Sequence, residues 1–359
     1  MSVSDVARDV LRLSLVTLGD PNQRTGGYRY HRIVAEEAQG HGAHIRFASI
    51  PATTWPVAFA AGAPVVRGAA DRSDAILLDS IAAAPAAPWL RRVRVPVVAV
   101  IHQRPGGVGH GLIRSLVQRA MDRSAYRGAT GVIVAADPLV DDLGRCGVPT
   151  ERIRVVHPGC DVPVASGPPL DLRRGRGVAV LCVANWSPTK GIIELLDAFA
   201  TLPEDAATLW LVGSHEVDRT YADRVRRRIS SPDLAHRVVA CGGMPIDEVG
   251  RFYGSADVFA MCSTVDAYGT TWAEALRAGL PVIGWRAANL PLLAEEGREA
   301  LMPEPGDTRG LSSALLTIST DGTVRERLAA GARRRAETLP TWRLSAERFF
   351  DAVRELLDG

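Results

Sequence analysis

The sequence is poor in lysine. Of its 42 basic residues, Lys190 is the single lysine and the rest are arginine. A bias of this size is typical of a GC-rich coding background, in which arginine stands wherever a generic positive charge is needed. Because an ammonium group is a compact point charge and a guanidinium group a wide planar fork, Lys190 marks a position where arginine does not serve. Chance retention of one lysine is the alternative interpretation.

Other signals of particular protein classes are also weak or missing. Basic residues exceed acidic ones by only two, so the charge does not favour a nucleic-acid partner. No apolar run reaches the roughly 18 residues that cross a bilayer, and the first nine residues do not resemble a secretory signal. Five cysteines without metal-ligand spacing, among them Cys182 and Cys262 in strand-like runs, indicate reduced structural thiols. Together these absences predict a cytoplasmic protein.

What the sequence does contain is a regular alternation of short apolar runs and helical patterns. The runs predict strands at 11–18, 44–50, 75–79, 95–101, 131–135, 153–156, 178–184, 208–212, 238–241, 257–262 and 281–285. Continuous apolar strands alternating with helices indicate parallel sheets covered on both faces.

The chain of 359 residues is long enough for two domains. Residues 159–177 are rich in glycine and proline, which is typical of a linker. We therefore predict an α/β protein of two doubly wound domains facing each other across a cleft, comprising 1–165 and 166–340. A final helix at 341–357 follows Pro340 and is expected to cross back onto the first domain, adding 341–359 to it.

Two loops of the first domain are candidate binding segments. Gly26 and Gly27 lie between the first strand and a helical pattern, where bare backbone N–H groups can approach a ligand. His102 follows the strand at 95–101 and precedes a glycine-rich loop. Neither loop has the dinucleotide fingerprint G-x-G-x-x-G, so a dehydrogenase is disfavoured. A plain turn for the glycines and a capping role for the histidine are equally good interpretations.

The helical pattern at 112–127 combines aliphatic residues with Arg114, Arg119, Arg123 and Arg127. Some peripheral membrane enzymes use such a pattern. A core helix with a solvated basic face is the favoured interpretation, so any membrane contact is expected to be peripheral at most.

In the second domain, Lys190 follows the strand at 178–184 and precedes a helix. A cation beside helix N–H groups suits a phosphate. The spacing does not match G-x-x-x-x-G-K-[ST], which excludes a P-loop.

The most informative segment is 262–284, which predicts a strand, a loop, a helix, a glycine stop and another strand. Asp266 and Glu274 lie eight residues apart across the loop-to-helix turn, and Thr270 is the expected helix cap. Carboxylates accept hydrogen bonds from vicinal diols, and a helix N-terminus attracts phosphate. These features suit a nucleotide sugar, although Glu274 in a first helical turn can also simply complement the helix dipole.

These motifs resemble the retaining glycosyltransferases of family 4, which have the GT-B fold, over essentially the whole chain. The family's E-x7-E motif followed by E-A-x-A-x-G-x-P-V corresponds to residues 266–282, with Asp266 at the first glutamate and Arg277 at the second alanine. Its Gly-Gly loop, its first-domain histidine and its Lys-Gly helix start are matched by residues 26–27, 102 and 190–191. Further matches are the segment at 156–161 at the domain junction, Gly243-Met244, and the Tyr-x-x-Ala-Asp run at 253–257.

The resemblance implies a role for each matched residue. Glu274 would bind the ribose diol, Lys190 would neutralise the diphosphate as the glycosidic bond breaks, and Asp266 and His102 would contact the donor sugar. The donor-binding set implied is Gly26, Gly27, Asn185, Lys190, Gly213, Met244, Asp266, Tyr268, Gly269, Thr270, Thr271 and Glu274. Met244 would flank the base, and the backbone of 269–271 would assist at the phosphates.

The implied reaction moves a hexose from a nucleoside-diphosphate sugar to a hydroxyl acceptor with retention, without a cofactor or metal. UDP- or GDP-hexose is the favoured donor, and a small molecule the favoured acceptor, with 53–64 and 106–111 as acceptor loops. A monomer or homodimer is expected.

Two departures from the family pattern leave alternatives open. The first motif glutamate is Asp266, and Asn185 stands where the family often has a phosphate-binding arginine. These changes motivate a non-catalytic nucleotide-sugar-binding partner subunit as a competing hypothesis, and a GT-B-fold sugar-nucleotide epimerase is a third.

Overall fold

The structure, a computed structural model, describes residues 10–23, 26–107, 111–162 and 167–359. The chain divides into two compact units, one of Met1–Gly159 with Thr341–Gly359 and one of Cys160–Pro340. The boundary predicted at 165/166 touches residues outside the described ones, and the observed boundary lies earlier, at Gly159/Cys160. The first and last residues of the second unit are hydrogen-bonded to each other, since the backbone N–H of Cys160 donates to the carbonyl of Pro340, 3.0 Å away.

The first unit is a parallel six-stranded sheet with helices between its strands. Its strands are β1 (Leu11–Leu18), β2 (Ala43–Ile50), β3 (Ala75–Asp79), β4 (Val97–Ile101), β5 (Gly131–Val134) and β6 (Ile153–Val155). Its helices are α1 (Gly26–Glu37), α2 (Trp55–Ala70), α3 (Ala83–Leu90), α4 (Leu112–Gly128) and α5 (Pro138–Arg145). The strand order is β2-β1-β3-β4-β5-β6, which is a doubly wound sheet that reverses direction between β1 and β3.

The second unit repeats this architecture. Its strands are β7 (Val178–Val183), β8 (Ala207–Val212), β9 (Val238–Gly242), β10 (Val258–Ala260), β11 (Val282–Ile283) and β12 (Ala300–Leu301). Its helices are α6 (Ile192–Phe199), α7 (Arg219–Ile229), α8 (Ile246–Ser255), α9 (Thr270–Arg277), α10 (Leu290–Leu293), α11 (Thr308–Thr320) and α12 (Gly322–Ala336). The order β12-β11-β10-β7-β8-β9 reverses between β7 and β10.

The last helix, α13 (Trp342–Asp358), packs on the first unit, and the predicted crossing back is confirmed. Phe349, Phe350 and Val353 are fully buried in the core that they share with α1 and the sheet. The hydroxyl of Ser345 donates to the carbonyl of His157 at 2.8 Å, which ties the helix to the chain beyond β6. Both units are α/β and doubly wound, as the alternation of apolar strands and helices predicts.

In two regions the structure differs from the sequence-based predictions. The segment 53–64, predicted to be an acceptor loop, is mostly the first three turns of α2. Its prolines disguise the helix, because Pro56 lies in the first turn, where no N–H is required, and Pro64 is tolerated inside. The linker-like residues 167–177 are partly packed, since the Trp210 indole donates to the Leu172 carbonyl at 2.7 Å.

Helix α4 also departs from its favoured interpretation as a core helix. Gln118, Asp122, Ala125 and Tyr126 are its buried residues, whereas its aliphatic first turns lie in solvent. Among the described residues no helix combines the length and apolarity needed to cross a membrane.

Candidate functional site

The site in the second unit lies where its sheet reverses direction. β7 and β10 are hydrogen-bonded neighbours there, and Lys190 follows β7 while Asp266 and Glu274 follow β10. Parallel strands end at the same edge, and ligands bind beyond that edge at the point of reversal. The fold therefore brings Lys190 and Asp266 together at this edge, and Glu274 lies in the helix that begins there, α9.

The turn that carries Lys190 packs directly on the chain after β10. Gly191 has a φ of +64°, and a Cβ at this position would lie 2.1 Å from the carbonyl oxygen of Cys262. Only glycine allows this close approach. The Thr264 N–H donates to the carbonyl of Thr189 at 2.9 Å and fixes the same contact. The Lys-Gly motif therefore sets the position of the lysine relative to the loop of Asp266.

Lys190 and Asp266 form an ion pair in the ligand-free protein. The Lys190 Nζ lies 2.6 Å from Asp266 Oδ2, and both side chains are largely buried. The other oxygen of Asp266 accepts from the backbone N–H of Gly269 at 2.8 Å. Gly269, not Thr270, is the N-cap of α9, so the cap predicted at Thr270 is wrong and Thr270 begins the helix. Asp266 thus links the lysine to the N-terminus of α9.

The prediction of Glu274 in the first turn of α9 is wrong: the helix begins at Thr270, so Glu274 lies in its second turn, where it is buried. The hydroxyl of Tyr253, from α8, donates to Glu274 Oε2 at 3.0 Å and lies 3.3 Å from the carbonyl oxygen of Thr271. Both side chains are at most 2% exposed. Burial of a carboxylate is costly unless hydrogen bonds satisfy it, so the contact with Tyr253 holds Glu274 in one orientation.

The remaining residues predicted to bind the donor have mixed surroundings. Asn185 accepts from the Ser214 N–H at 3.0 Å, and Met244 lies half-buried in the loop between β9 and α8. Gly213 has a structural reason to be glycine, because a Cβ would lie 2.0 Å from the Ala184 carbonyl oxygen. Tyr268 is buried, with its hydroxyl 3.4 Å from the Cys160 Sγ. The side chain of Tyr268 therefore packs inside the unit.

The first unit has a pocket of about 510 Å³ at its own reversal point. Its wall includes Gly27 after β1, Asp79 and Ser80 at the end of β3, and His102 after β4. Gly26 precedes Gly27 and is exposed. The rest of the lining mixes aliphatic, aromatic, amide and hydroxyl side chains with one guanidinium: Leu18, Gln23, Tyr28, Ala52, Thr53, Trp55, Ala58, Ile81, Ala84, Pro85, Gln103, Arg114 and Gln118. This lining suits a compact polar molecule with an apolar face.

His102 is neutral at physiological pH because burial, together with repulsion from His31, lowers its pKa to about 3. Its Nε2 is buried and has no hydrogen-bond partner among the described residues. Behind it, Asp79 Oδ2 lies 3.2 Å from His31 Nε2 and accepts from the Thr17 hydroxyl at 2.7 Å. Burial would raise the pKa of Asp79, but the two histidines and the hydroxyl outweigh it and lower the pKa to about 2.

The sequence analysis missed Asp79 and His31 as parts of these sites, and it named Tyr253 as a motif residue without its contact to Glu274. The signal for Asp79 was present, since a carboxylate ends an otherwise apolar strand at a sheet edge. His31 gave no signal, because its partner Asp79 lies 48 positions away, and the motif at 253–257 does not indicate that Tyr253 contacts Glu274, 21 positions away.

The loop after His102 is held by a buried acid of α4. The N–H of Gly106 donates to Asp122 Oδ2 at 2.9 Å, while Oδ1 has no partner among the described residues. Burial raises the pKa of Asp122 to about 7, and the Gly106 hydrogen bond only partly opposes this. The carboxyl group is thus half protonated near neutral pH.

This acid predicts a pH-dependent stability. Between about pH 4 and pH 7 the folded protein keeps a proton on Asp122 that the unfolded chain has lost, so stability falls as the pH rises. We expect Asp122→Asn to stabilise the protein at pH 8, by up to about 4 kcal/mol, and to have little effect at pH 4. Urea unfolding at the two pH values measures this. Asp141→Asn, which removes an exposed acid, is the control, and an equal gain in both variants would contradict the prediction.

Comparison with known proteins gives a consistent result for both units. The family model described as glycosyl transferases group 1 matches residues 177–321, and the glycosyl transferase 4-like domain model matches residues 4–159. Mannosylfructose-phosphate synthase of Agrobacterium fabrum is 26% identical over 60% of this chain and 51% of its own length. D-inositol 3-phosphate glycosyltransferase of Corynebacterium glutamicum is 28% identical over 58% of this chain and 54% of its own. The chain spans about half the length of these curated relatives.

Solved structures share the fold at low sequence identity. Sucrose-phosphate synthase from Thermosynechococcus elongatus matches with a TM-score of 0.83 and 18% identity, covering 97% of this chain and 99% of that one. Anabaena HepE, crystallised with UDP and glucose, matches with a TM-score of 0.79 and 20% identity, covering 95% and 99%. The two family models fall one on each unit, and the chain therefore belongs to the family 4, group 1 glycosyltransferases, which have the GT-B fold.

Proposed function

We propose that this protein is a retaining hexosyltransferase that moves a hexose from a nucleoside-diphosphate sugar, UDP- or GDP-hexose, to a hydroxyl acceptor. One observation carries the proposal: Lys190, Asp266 and Glu274 lie with the N-terminus of α9 at the edge of β7 and β10. A cation and a helix N-terminus together offset the charge of a diphosphate. The names of the relatives and the UDP-bound state of HepE support the same donor class.

In this proposal the residues of the second unit assist departure of the nucleotide. Lys190 and the first turn of α9 stabilise the charge that develops on the diphosphate, so that no metal is required. Glu274, oriented by Tyr253, binds the ribose diol. Asp266 contacts a hydroxyl of the hexose after Lys190 turns from it to the diphosphate. The role of Gly26, Gly27 and His102 toward the donor stays a prediction.

The pocket of the first unit is proposed to take the acceptor. Its volume of about 510 Å³ suits a group of one or two sugar rings, and Trp55 supplies an aromatic face beside amides and hydroxyls. Such a lining binds polyhydroxy compounds by stacking and hydrogen bonding. The acceptor group is therefore small, whether it is a free molecule or the head of a larger one.

Donor binding is the experiment that tests the proposal. Thermal-shift titration with UDP, GDP, ADP, CDP and NAD should show stabilisation by one nucleoside diphosphate, about 2.7 kcal/mol at 100 times its Kd. Turnover of the matching hexose donor, with the product anomer assigned by NMR, then tests retention. Binding without turnover on any acceptor would favour the partner subunit, and change of the donor without an acceptor would favour the epimerase. Binding of NAD alone would contradict the site.

A further inference from the structure

The first two turns of α4 expose a compact group of aliphatic side chains. Leu112 and Ile113 are 78% and 81% exposed, and Leu116 and Val117 are about half exposed. The spacing i, i+1, i+4 and i+5 places all four on one side of the helix. Val57 of α2 is also exposed, and Trp55 at the start of α2 contacts α4 through Arg114, whose guanidinium lies 5.4 Å from the ring centre. Contiguous exposed apolar surface of this kind marks an interaction site.

The same helix carries only positive charge on its surface. Arg114, Arg119, Arg123 and Arg127 are exposed, and none of them forms an ion pair within the part of the chain that the structure describes. The single acid of α4, Asp122, is buried. The neighbouring helices α2 and α3 contain no acid, and Arg91, after α3, reaches Ser124 of α4 at 3.3 Å. This face is strongly cationic although the protein has a net charge of only +2.

The apolar and cationic groups follow one another along the helix axis. Leu112 to Val117 span about 8 Å along the helix axis at 1.5 Å per residue, so a tilted helix that enters by its N-terminal end keeps all four aliphatic side chains within the layer, about 5–10 Å deep, that the apolar faces of interfacial helices occupy. Arg119, Arg123 and Arg127 are spaced four apart and form one row beyond that apolar turn. Arginine stems lie along the apolar region while their guanidinium groups meet phosphates.

We propose that α4 docks this protein on a bilayer surface that contains anionic phospholipid. Leu112, Ile113, Leu116 and Val117 insert between the headgroups, and the arginine row binds the lipid phosphates. Trp55, half-buried beside Arg114, lies at the headgroup level, where amphipathic rings are favoured. The helix anchors at the surface without spanning it.

Other occupants fit the face less well. A nucleic acid would meet the arginines but would leave four aliphatic side chains against a charged backbone. A second copy in a twofold dimer would add the same four arginines and no exposed acid of α4 to pair with them, since both partners of such an interface present the same surface. An anionic bilayer offers an apolar layer to the aliphatic side chains and phosphates to the arginines of the same helix.

Docking by α4 would place the pocket of the first unit at the membrane surface. Trp55, Arg114 and Gln118 line both the pocket and the base of the docking helix. A polar group at headgroup depth would therefore be within reach of the pocket. Membrane docking needs neither donor nor acceptor, so it can be tested independently of the proposed transferase activity.

Flotation with liposomes tests the inference on the full chain. We expect binding to equimolar phosphatidylcholine and phosphatidylglycerol, weak binding to phosphatidylcholine alone, and loss of binding as salt rises. Leu112→Gln with Ile113→Gln should weaken partition at least about tenfold through lost apolar burial. Arg123→Glu with Arg127→Glu should weaken it more than about twentyfold, since each arginine near an anionic surface is worth about fivefold.

Matched variants of the second unit control for general surface effects. Leu316→Gln replaces another exposed aliphatic residue, and Arg327→Glu with Arg334→Glu makes the same change in net charge on α12. These controls should bind like the wild type, and circular dichroism checks the fold of every variant. Three results would overturn the inference: no binding of the wild type to anionic liposomes, equal loss in the controls, or sedimentation showing a dimer that Ile113→Gln dissociates while liposomes leave it unchanged.

Discussion

Lys190→Ala is expected to weaken binding of the cognate nucleoside diphosphate by about tenfold to a hundredfold. A hydrogen bond to a charged group contributes about 1.5–3 kcal/mol, and Lys190 is the cation that the fold presents beside the N-terminus of α9. Isothermal titration calorimetry of the wild type and the variant with UDP and GDP measures the change. The thermal shift produced by the nucleotide should fall in parallel.

The ion pair with Asp266 makes this prediction sharper. In the ligand-free protein Lys190 is held 2.6 Å from Asp266, so the diphosphate competes with a carboxylate for the same ammonium group. Asp266→Asn should therefore keep or tighten diphosphate binding while it impairs turnover of the sugar donor. Opposite effects of the two variants on affinity distinguish a phosphate-binding lysine from one that only stabilises the loop of residues 263–269.

Two controls guard against indirect effects on affinity. Arg327→Ala removes an exposed cation from α12 of the same unit and should leave nucleotide affinity unchanged. Lys190→Arg keeps the charge but not its compact shape, and we expect intermediate affinity. Loss of the Lys190–Asp266 pair should cost only about 1 kcal/mol of stability, because the pair retains some contact with solvent. Unchanged affinity in Lys190→Ala would contradict the assigned phosphate site.

Much of the fold follows from the pattern of apolar residues. β1 and β3 have the predicted bounds, because β1 is rich in leucine and ends before Gly19-Asp20, and β3 is an aliphatic run that closes with Asp79. The site in the second unit follows from the same pattern, since the edge of a parallel sheet gathers whatever follows its strands. Lys190 and Asp266 were therefore expected at one edge although 76 positions separate them.

What the sequence did not predict depends on contacts that local patterns do not encode. Helices α2 and α3 have prolines in their interiors and almost no polar residues, so their sequences show no alternation between an apolar face and a polar face. The aliphatic residues at the start of α4 have the composition of core residues, and only the packing shows that Leu112 and Ile113 are exposed. The orientation of Glu274 likewise depends on Tyr253, which approaches from a different helix.

Substitution of Glu274 is expected to have the second large effect on nucleotide binding. It tests whether Glu274 binds the ribose or only complements the helix dipole. If the carboxylate binds the ribose diol, the wild type should prefer the ribonucleoside diphosphate over its 2′,3′-dideoxy analogue by at least about tenfold. Glu274→Gln keeps an oxygen that accepts from the Tyr253 hydroxyl. Because a neutral amide is a weaker acceptor than a carboxylate, the preference for the ribose diol should largely disappear. Calorimetry with the two nucleotides measures both affinities.

Glu194→Gln is the matched control, because Glu194 is an exposed acid in the first turn of α6. It should cost about 0.3–1 kcal/mol of stability and leave the preference for the diol intact. Tyr253→Phe removes the hydrogen bond that orients Glu274, so it should reduce the preference without abolishing nucleotide binding through Lys190. If Glu274→Gln lost only stability, as Glu194→Gln is expected to do, the ribose role would be wrong. Because the readout is a ratio of two affinities in one variant, partial unfolding lowers both and cannot produce the expected change.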